Sequence, residues 1–259
     1  MLVDQNLAQL YAGAALRTTG LTHVVAAVRH AGRLHVLAIG PHAPPSATDF
    51  FVLQAARARA DVILTSARNL RAEPHLQHAF VGERSEELKA YRRSLGKPAL
   101  PTCAILSASG DVPKDHLSFA DGTPKLVLTL PAREQALAKA LRGKAEVLGI
   151  PGLSTTSAVT TLRARGFGLI SLEAGPSTAA PLYAASASVR VDELLLTLFE
   201  GALADPRGLG PALPDDPLLL SGLALRGESR IREPAGDFLF RLYQRERASE
   251  PATALEPKK

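Results

Sequence analysis

Apolar residues recur at helical spacing across residues 3–16 and stop near Gly20, which predicts a leading helix within residues 1–20. The segments 22–28 and 33–39 then read as two strands around the turn Arg29-His30-Ala31-Gly32. After a loop at 40–45, Ser46-Ala47-Thr48-Asp49 has capping-box spacing. Its acid stands at the third helical position, within reach of the cap N–H, and the helix is expected over 47–59. Short apolar runs at 61–65, 101–106, 125–129, 145–150 and 168–172 are of buried-strand type. Helical patterns separate them at 85–95, from Pro131 onward, and at 154–165 with Gly166 as the stop.

This alternation predicts an α/β fold: a mostly parallel sheet between helical layers, three layers in all. From Val191 the strands follow one another without a helix, at 191–199, 217–228 and 236–246, so these three are expected to be mutually antiparallel and the sheet mixed. Between the first two, residues 201–217 hold four prolines and three glycines, a long loop that is either functional or mobile. A single domain is expected over 1–246, with a polar, disordered tail over 247–259.

Composition removes several function classes. The chain has 259 residues, 46% of them hydrophobic, enough for one sizeable core. The one cysteine, Cys103, excludes an internal disulfide and lies in an apolar strand, where it reads as an inert core residue. The first residues lack the basic and apolar regions of a signal peptide, so a cytoplasmic location is expected. No apolar run approaches the roughly 20 residues of a membrane span. The net charge of +5 comes from scattered Lys and Arg without aromatic interleaving, which argues against a nucleic-acid partner. His75 and His78 form a close pair, but no Cys or carboxylate set at metal-ligand spacing joins them, so no metal is expected. P-loop and Gly-x-Ser-x-Gly patterns are absent.

Ligands of open α/β sheets sit outside the carboxyl ends of the parallel strands. That rule marks three loops, at 129–133, 149–157 and 173–178, each combining hydroxyls with a helix start, a chemistry suited to phosphate oxygens. Any one of them also reads as a plain helix cap. Three on one edge suit a dinucleotide.

Four segments, in order, carry a resemblance. Ile170-Ser171-Leu172-Glu173-Ala174-Gly175-Pro176-Ser177-Thr178, followed by Val191-Asp192-Glu193-Leu194, resembles the Glu-Gly-Gly-Pro and Asp-Glu-Leu signature of the C-terminal reductase domain of the bifunctional riboflavin-biosynthesis deaminase/reductase. Upstream, Arg57-Ala58-Arg59-Ala60-Asp61-Val62-Ile63-Leu64-Thr65 is similar to that family's helix ending and central strand. Arg71-Ala72-Glu73-Pro74-His75-Leu76 stands where the family has an Arg-Ala-Asp-Pro-Leu turn, and Leu239-Phe240-Arg241-Leu242-Tyr243 resembles its closing strand.

The resemblance implies a dihydrofolate-reductase-like fold and a homodimer that binds NADPH and transfers hydride to a C=N or C=O bond of a small pyrimidine- or pterin-like substrate. By position it assigns Gly175, Pro176, Ser177 and Thr178 to the pyrophosphate turn and Arg133 or Thr129 to the 2′-phosphate. Thr65, Asn69, Gly152 and Glu173 complete the implied cofactor set, although Glu173 reads equally as a carboxylate bracing its turn. Gly40, His42 and Arg71 fall on the substrate side.

No catalytic group is named by the sequence, and three positions depart from the family. Ala174 replaces the second glycine of the turn, Arg29-His30-Ala31-Gly32 replaces Ser-Leu-Asp-Gly and so loses its acid, and Asn69 stands where Thr is usual. A second reading therefore remains open: a non-catalytic nucleotide-binding relic of the same fold.

Overall fold

The structure, a computed structural model, describes residues 2–38 and 40–246. The tail expected over 247–259 lies outside the described residues. Helix α1 (Leu2–Leu10) is shorter than the apolar pattern. Ala12 and Gly13 take positive φ, 51° and 82°, which closes the helix, and the chain beyond runs down to Arg17 without helical geometry.

Strand β1 (Gly20–His30) and β2 (Arg33–Leu37) form the expected hairpin. There follow α2 (Ala47–Arg59), β3 (Val62–Ser66), α3 (Ala67–Ala72), α4 (Ser85–Ser94), β4 (Thr102–Ser107) and β5 (Lys125–Thr129). The remaining alternation is α5 (Pro131–Ala140), β6 (Glu146–Gly149), α6 (Thr155–Ala164), β7 (Leu169–Leu172), the one-turn α7 (Pro176–Ala179) and β8 (Glu193–Phe199). The chain closes with β9 (Leu209–Ala212), α8 (Asp216–Leu219), β10 (Leu223–Glu233) and β11 (Gly236–Arg245).

The strands form one mixed sheet in the order β10-β11-β8-β1-β7-β3-β4-β5-β6. From β8 to β6 the neighbours are parallel; β11 and β10 then join antiparallel, as expected for the last three strands. One boundary moves: residues 216–219 are helical, so the strand expected over 217–228 begins at Leu223 and runs to Glu233. The Pro- and Gly-rich segment before it is also partly regular, because β9 pairs with β2. Gly208 permits this seating, since a Cβ there would fall 2.4 Å from the carbonyl oxygen of His42.

Helices cover both faces. On one, α1, α2 and α4 pack Leu7, Val52 and Leu88 against Leu195 and Phe240, while α3 and α5 add Leu70 and Leu137 over β4 and β5. On the other, α6 packs Val159 and Leu162 beneath Leu64 and Leu172. Cys103 is fully buried on the first face, with Leu70 and Leu137, and its thiol is pushed up to about 12 by burial, consistent with an inert residue.

Candidate active site

β7 pairs with β1 only along Gly20–His23, then turns away at Glu173, while β1 continues to His30. The divergence leaves Val24, Val25 and Ala26 facing an opening between β1 and α2. A cavity of about 580 Å³ results, beside the carboxyl ends of β7 and β3, the edge that the α/β rule marks.

An ion pair closes one side of it. Arg57 of α2 donates to Glu173 from Nε at 2.9 Å and from Nη2 at 2.7 Å, and its Nη1 reaches the Gln77 carbonyl at 2.9 Å. Both side chains are nearly excluded from solvent, so the bidentate geometry offsets the cost of removing two charges from water. The backbone of Glu173 is held as well: its carbonyl accepts from Thr65 Oγ1 at 2.9 Å and from Asn69 Nδ2 at 3.0 Å. Thr65, Asn69, Glu173 and Gly175, all expected at the cofactor, thus meet in one lining, and Gly40 joins them. Glu173 itself serves as the brace of the turn.

The next residue is fixed from below. His23, buried in β1, shares a hydrogen bond of 2.6 Å with the Tyr183 hydroxyl and makes another to the Ala174 backbone. Burial lowers its pKa to about 4, so the ring is neutral near pH 7. Ala174 is not at positive φ, and the methyl that replaces the family glycine is accommodated without backbone strain.

Two acids that the sequence left without a site role line the same cavity, Asp49 and Glu73. The expected capping box is half formed. Ser46 Oγ accepts from the Asp49 N–H at 2.9 Å, but the helix start is capped from across the fold: Ala47 and Thr48 donate their N–H groups to the Glu233 carboxylate of β10 at 3.1 and 3.0 Å. The Asp49 side chain is turned away from its own cap toward the sheet. Its carboxyl accepts a hydrogen bond from Thr197 of β8, and burial raises its pKa, with Thr197 opposing the shift and Glu233 adding to it. Glu73 is pushed up to about 7, chiefly by burial, with Arg57 opposing and Glu173 adding. An acid after a Ser cap, in the first turn of an amphipathic helix, was the available signal for Asp49; nothing local marked its orientation.

Other expected site residues lie elsewhere. Thr129 is buried and donates to the Ser107 carbonyl at 2.7 Å, so it is not available to a 2′-phosphate. Arg71 lies outside the cavity lining and pairs with Asp111 at 3.2 Å, and His42 pairs with Asp205 at 2.9 Å. The turn at 29–32 is the hairpin tip, with Ala31 and Gly32 at φ 47° and 79°, outside the lining; the acid missing there is not one missing from the cavity.

Arg133 stands exposed at the start of α5, its stem 3.4 Å from where a Cβ on Gly110 would sit, and forms no ion pair among the described residues. Gly152 is left-handed, φ 60°, in front of α6, whose N-terminus Ser154 and Ser157 cap reciprocally. Gly175 opens α7 at φ −62°, and a methyl group added to it would meet no atom within 4 Å. Pro176 is buried, Ser177 is exposed, and Thr178 is tied through its carbonyl to Thr155 at 2.7 Å. Among the described residues no group of His, Cys, Asp and Glu could hold a metal ion. No helix among them is long and apolar enough to cross a membrane.

Similarity to known proteins agrees with this geometry. Of the solved structures, a pyrimidine reductase-like protein from Corynebacterium diphtheriae superposes with a TM-score of 0.66 at 25% identity, covering 93% of this chain and 99% of that one. RibD of Acinetobacter baumannii aligns with a TM-score of 0.58 at 17% identity, over 88% of this chain and 59% of its own. The Thermotoga maritima diaminohydroxyphosphoribosylaminopyrimidine deaminase/5-amino-6-(5-phosphoribosylamino)uracil reductase gives 0.58 at 12%, over 87% and 56%. No curated protein matches. Residues 39–206, which supply Arg57, Glu173 and both cavity acids, match the RibD C-terminal domain, and the chain belongs to that family of pyrimidine reductase-like proteins.

Proposed function

We propose that the protein is an NADPH-dependent reductase that transfers hydride to a C=N or C=O bond of a small pyrimidine- or pterin-like ring. The observation that carries this reading is the inward turn of Asp49, which puts a carboxyl into the cavity at the strand edge where this fold family binds its ligands. A bound nicotinamide would supply the hydride.

The residues present suit the cofactor. The open space beside Gly175 leaves room for a pyrophosphate at the turn, and the exposed Arg133, in no ion pair among the described residues, suits a 2′-phosphate farther along the same edge. Asp49, held by Thr197, orients the substrate ring by hydrogen bonding to its N–H edge, and Glu73 holds a proton within the same cavity near neutral pH. The apolar wall of Val24, Val36, Phe50 and Leu53 excludes water from the ring faces. The relic reading rested on a lost acid, and two carboxyls in the cavity favour the enzyme instead.

Titration of the protein with NADPH, followed by nicotinamide fluorescence, tests the reading. Saturable enhancement is expected, and its absence would remove the reductase assignment.

A further inference from the structure

The charges around the cavity narrow the substrate, on the basis of the reductase reading above. Arg57 is engaged through three of its nitrogens, by Glu173 and by the Gln77 carbonyl. Arg71 is drawn outward to Asp111 and lies outside the lining. His75, exposed at the mouth, is the other basic side chain among the described lining residues. Against these stand Asp49, Glu73 and Glu173.

Arg57 and Glu173 cancel as a pair, and Asp49 and Glu73 are each neutral or negative but never positive. A substrate phosphate lying on the side of Asp49 and Glu73 would lose its water without gaining an unengaged guanidinium or ammonium, an uncompensated desolvation. Amino N–H groups and protonated ring nitrogens meet the opposite situation: carboxyl oxygens accept from both, and the bond to a charged donor is the stronger.

We propose that the cavity takes an amino-substituted nitrogen heterocycle carrying no phosphate, and that it discriminates against the phosphoribosyl form in the name of the Thermotoga maritima relative. The ring lies against Asp49, and the carboxyl of Glu73 opposes an anionic substituent.

Calorimetric titration of the full chain at pH 8, above the pKa of Glu73, with 5-amino-6-ribosylaminouracil and, separately, with its 5′-phosphate tests this, because the two differ only in the phosphate group. The unphosphorylated compound is expected to bind tighter by about tenfold or more, the effect of placing like charges together. Glu73→Gln should narrow that gap by strengthening the phosphate form. Equal or tighter binding of the phosphate by the unmodified chain would overturn the proposal, as would the failure of both compounds to bind at millimolar concentration. Since neither titration contains NADPH, a preference for the unphosphorylated ring together with absent nicotinamide fluorescence would strike the cofactor reading and leave the specificity standing.

Discussion

Arg57 and Glu173, from a helix and from a turn far apart in the chain, meet through two parallel N–H···O contacts and fix the cavity against the strand edge. Removing one partner strands the other charge in a nearly dry site. Arg57→Met or Glu173→Gln should each cost about 3–5 kcal/mol, and Arg57→Met with Glu173→Met together should cost less than either alone. Urea unfolding of the three variants checks this; additive losses would mean the pair is not coupled.

Gly175→Val should weaken NADPH binding and leave the thermal midpoint nearly unchanged. The backbone there, at φ −62°, suits any residue, and the added atoms enter open space. Unaltered NADPH affinity would move the pyrophosphate away from this turn.

Arg133→Ala should reduce affinity for NADPH more than for NADH, by roughly 1–3 kcal/mol, the range for a hydrogen bond to a charged group. Parallel fluorescence titrations measure it. Equal losses for both cofactors would assign the 2′-phosphate to another group.

Glu73 should leave a signature in stability against pH. Its folded-state pKa lies near 7, above the ordinary value of 4.5, so between those limits the native state binds more protons than the unfolded chain. Stability is then full below about pH 4.5 and falls as pH rises through 7. Urea midpoints at pH 5 and pH 8 should differ in that direction, and Glu73→Gln should flatten the difference.

A homodimer is expected in solution. The edge strand β10 leaves Leu225 47% exposed beside unpaired backbone groups, a surface that a second copy can cover. Light scattering at micromolar concentration should give twice the mass of 27.3 kDa, and a monomer mass would refute it.

Periodicity carried most of the fold. Helix α2 and strand β5 occupy the expected residues because Ser46 and Pro131 mark local boundaries that tertiary contacts do not alter. The site was less legible, since side-chain direction depends on partners distant in sequence. Thr129 reads as an available hydroxyl at a strand end, yet its neighbour across the sheet is Ser107, whose carbonyl accepts its hydrogen bond. Asp49 reads as a cap because nothing near it reveals that its carboxyl is taken by Thr197, far away in sequence on β8. The Arg71 turn was found by resemblance, but the residue facing the cavity is Glu73, two positions on, and only packing decides which.

The Glu233 contact also bears on where this protein can be cut or recombined. The stretch shared with the family ends at residue 206, and a fragment trimmed to that limit would look like a whole unit by sequence. It would nevertheless lack the carboxylate that receives the first N–H groups of α2, the helix turn that carries Asp49. The final hairpin thus helps to seat the cavity acid Asp49, and grafts between relatives should carry the two together.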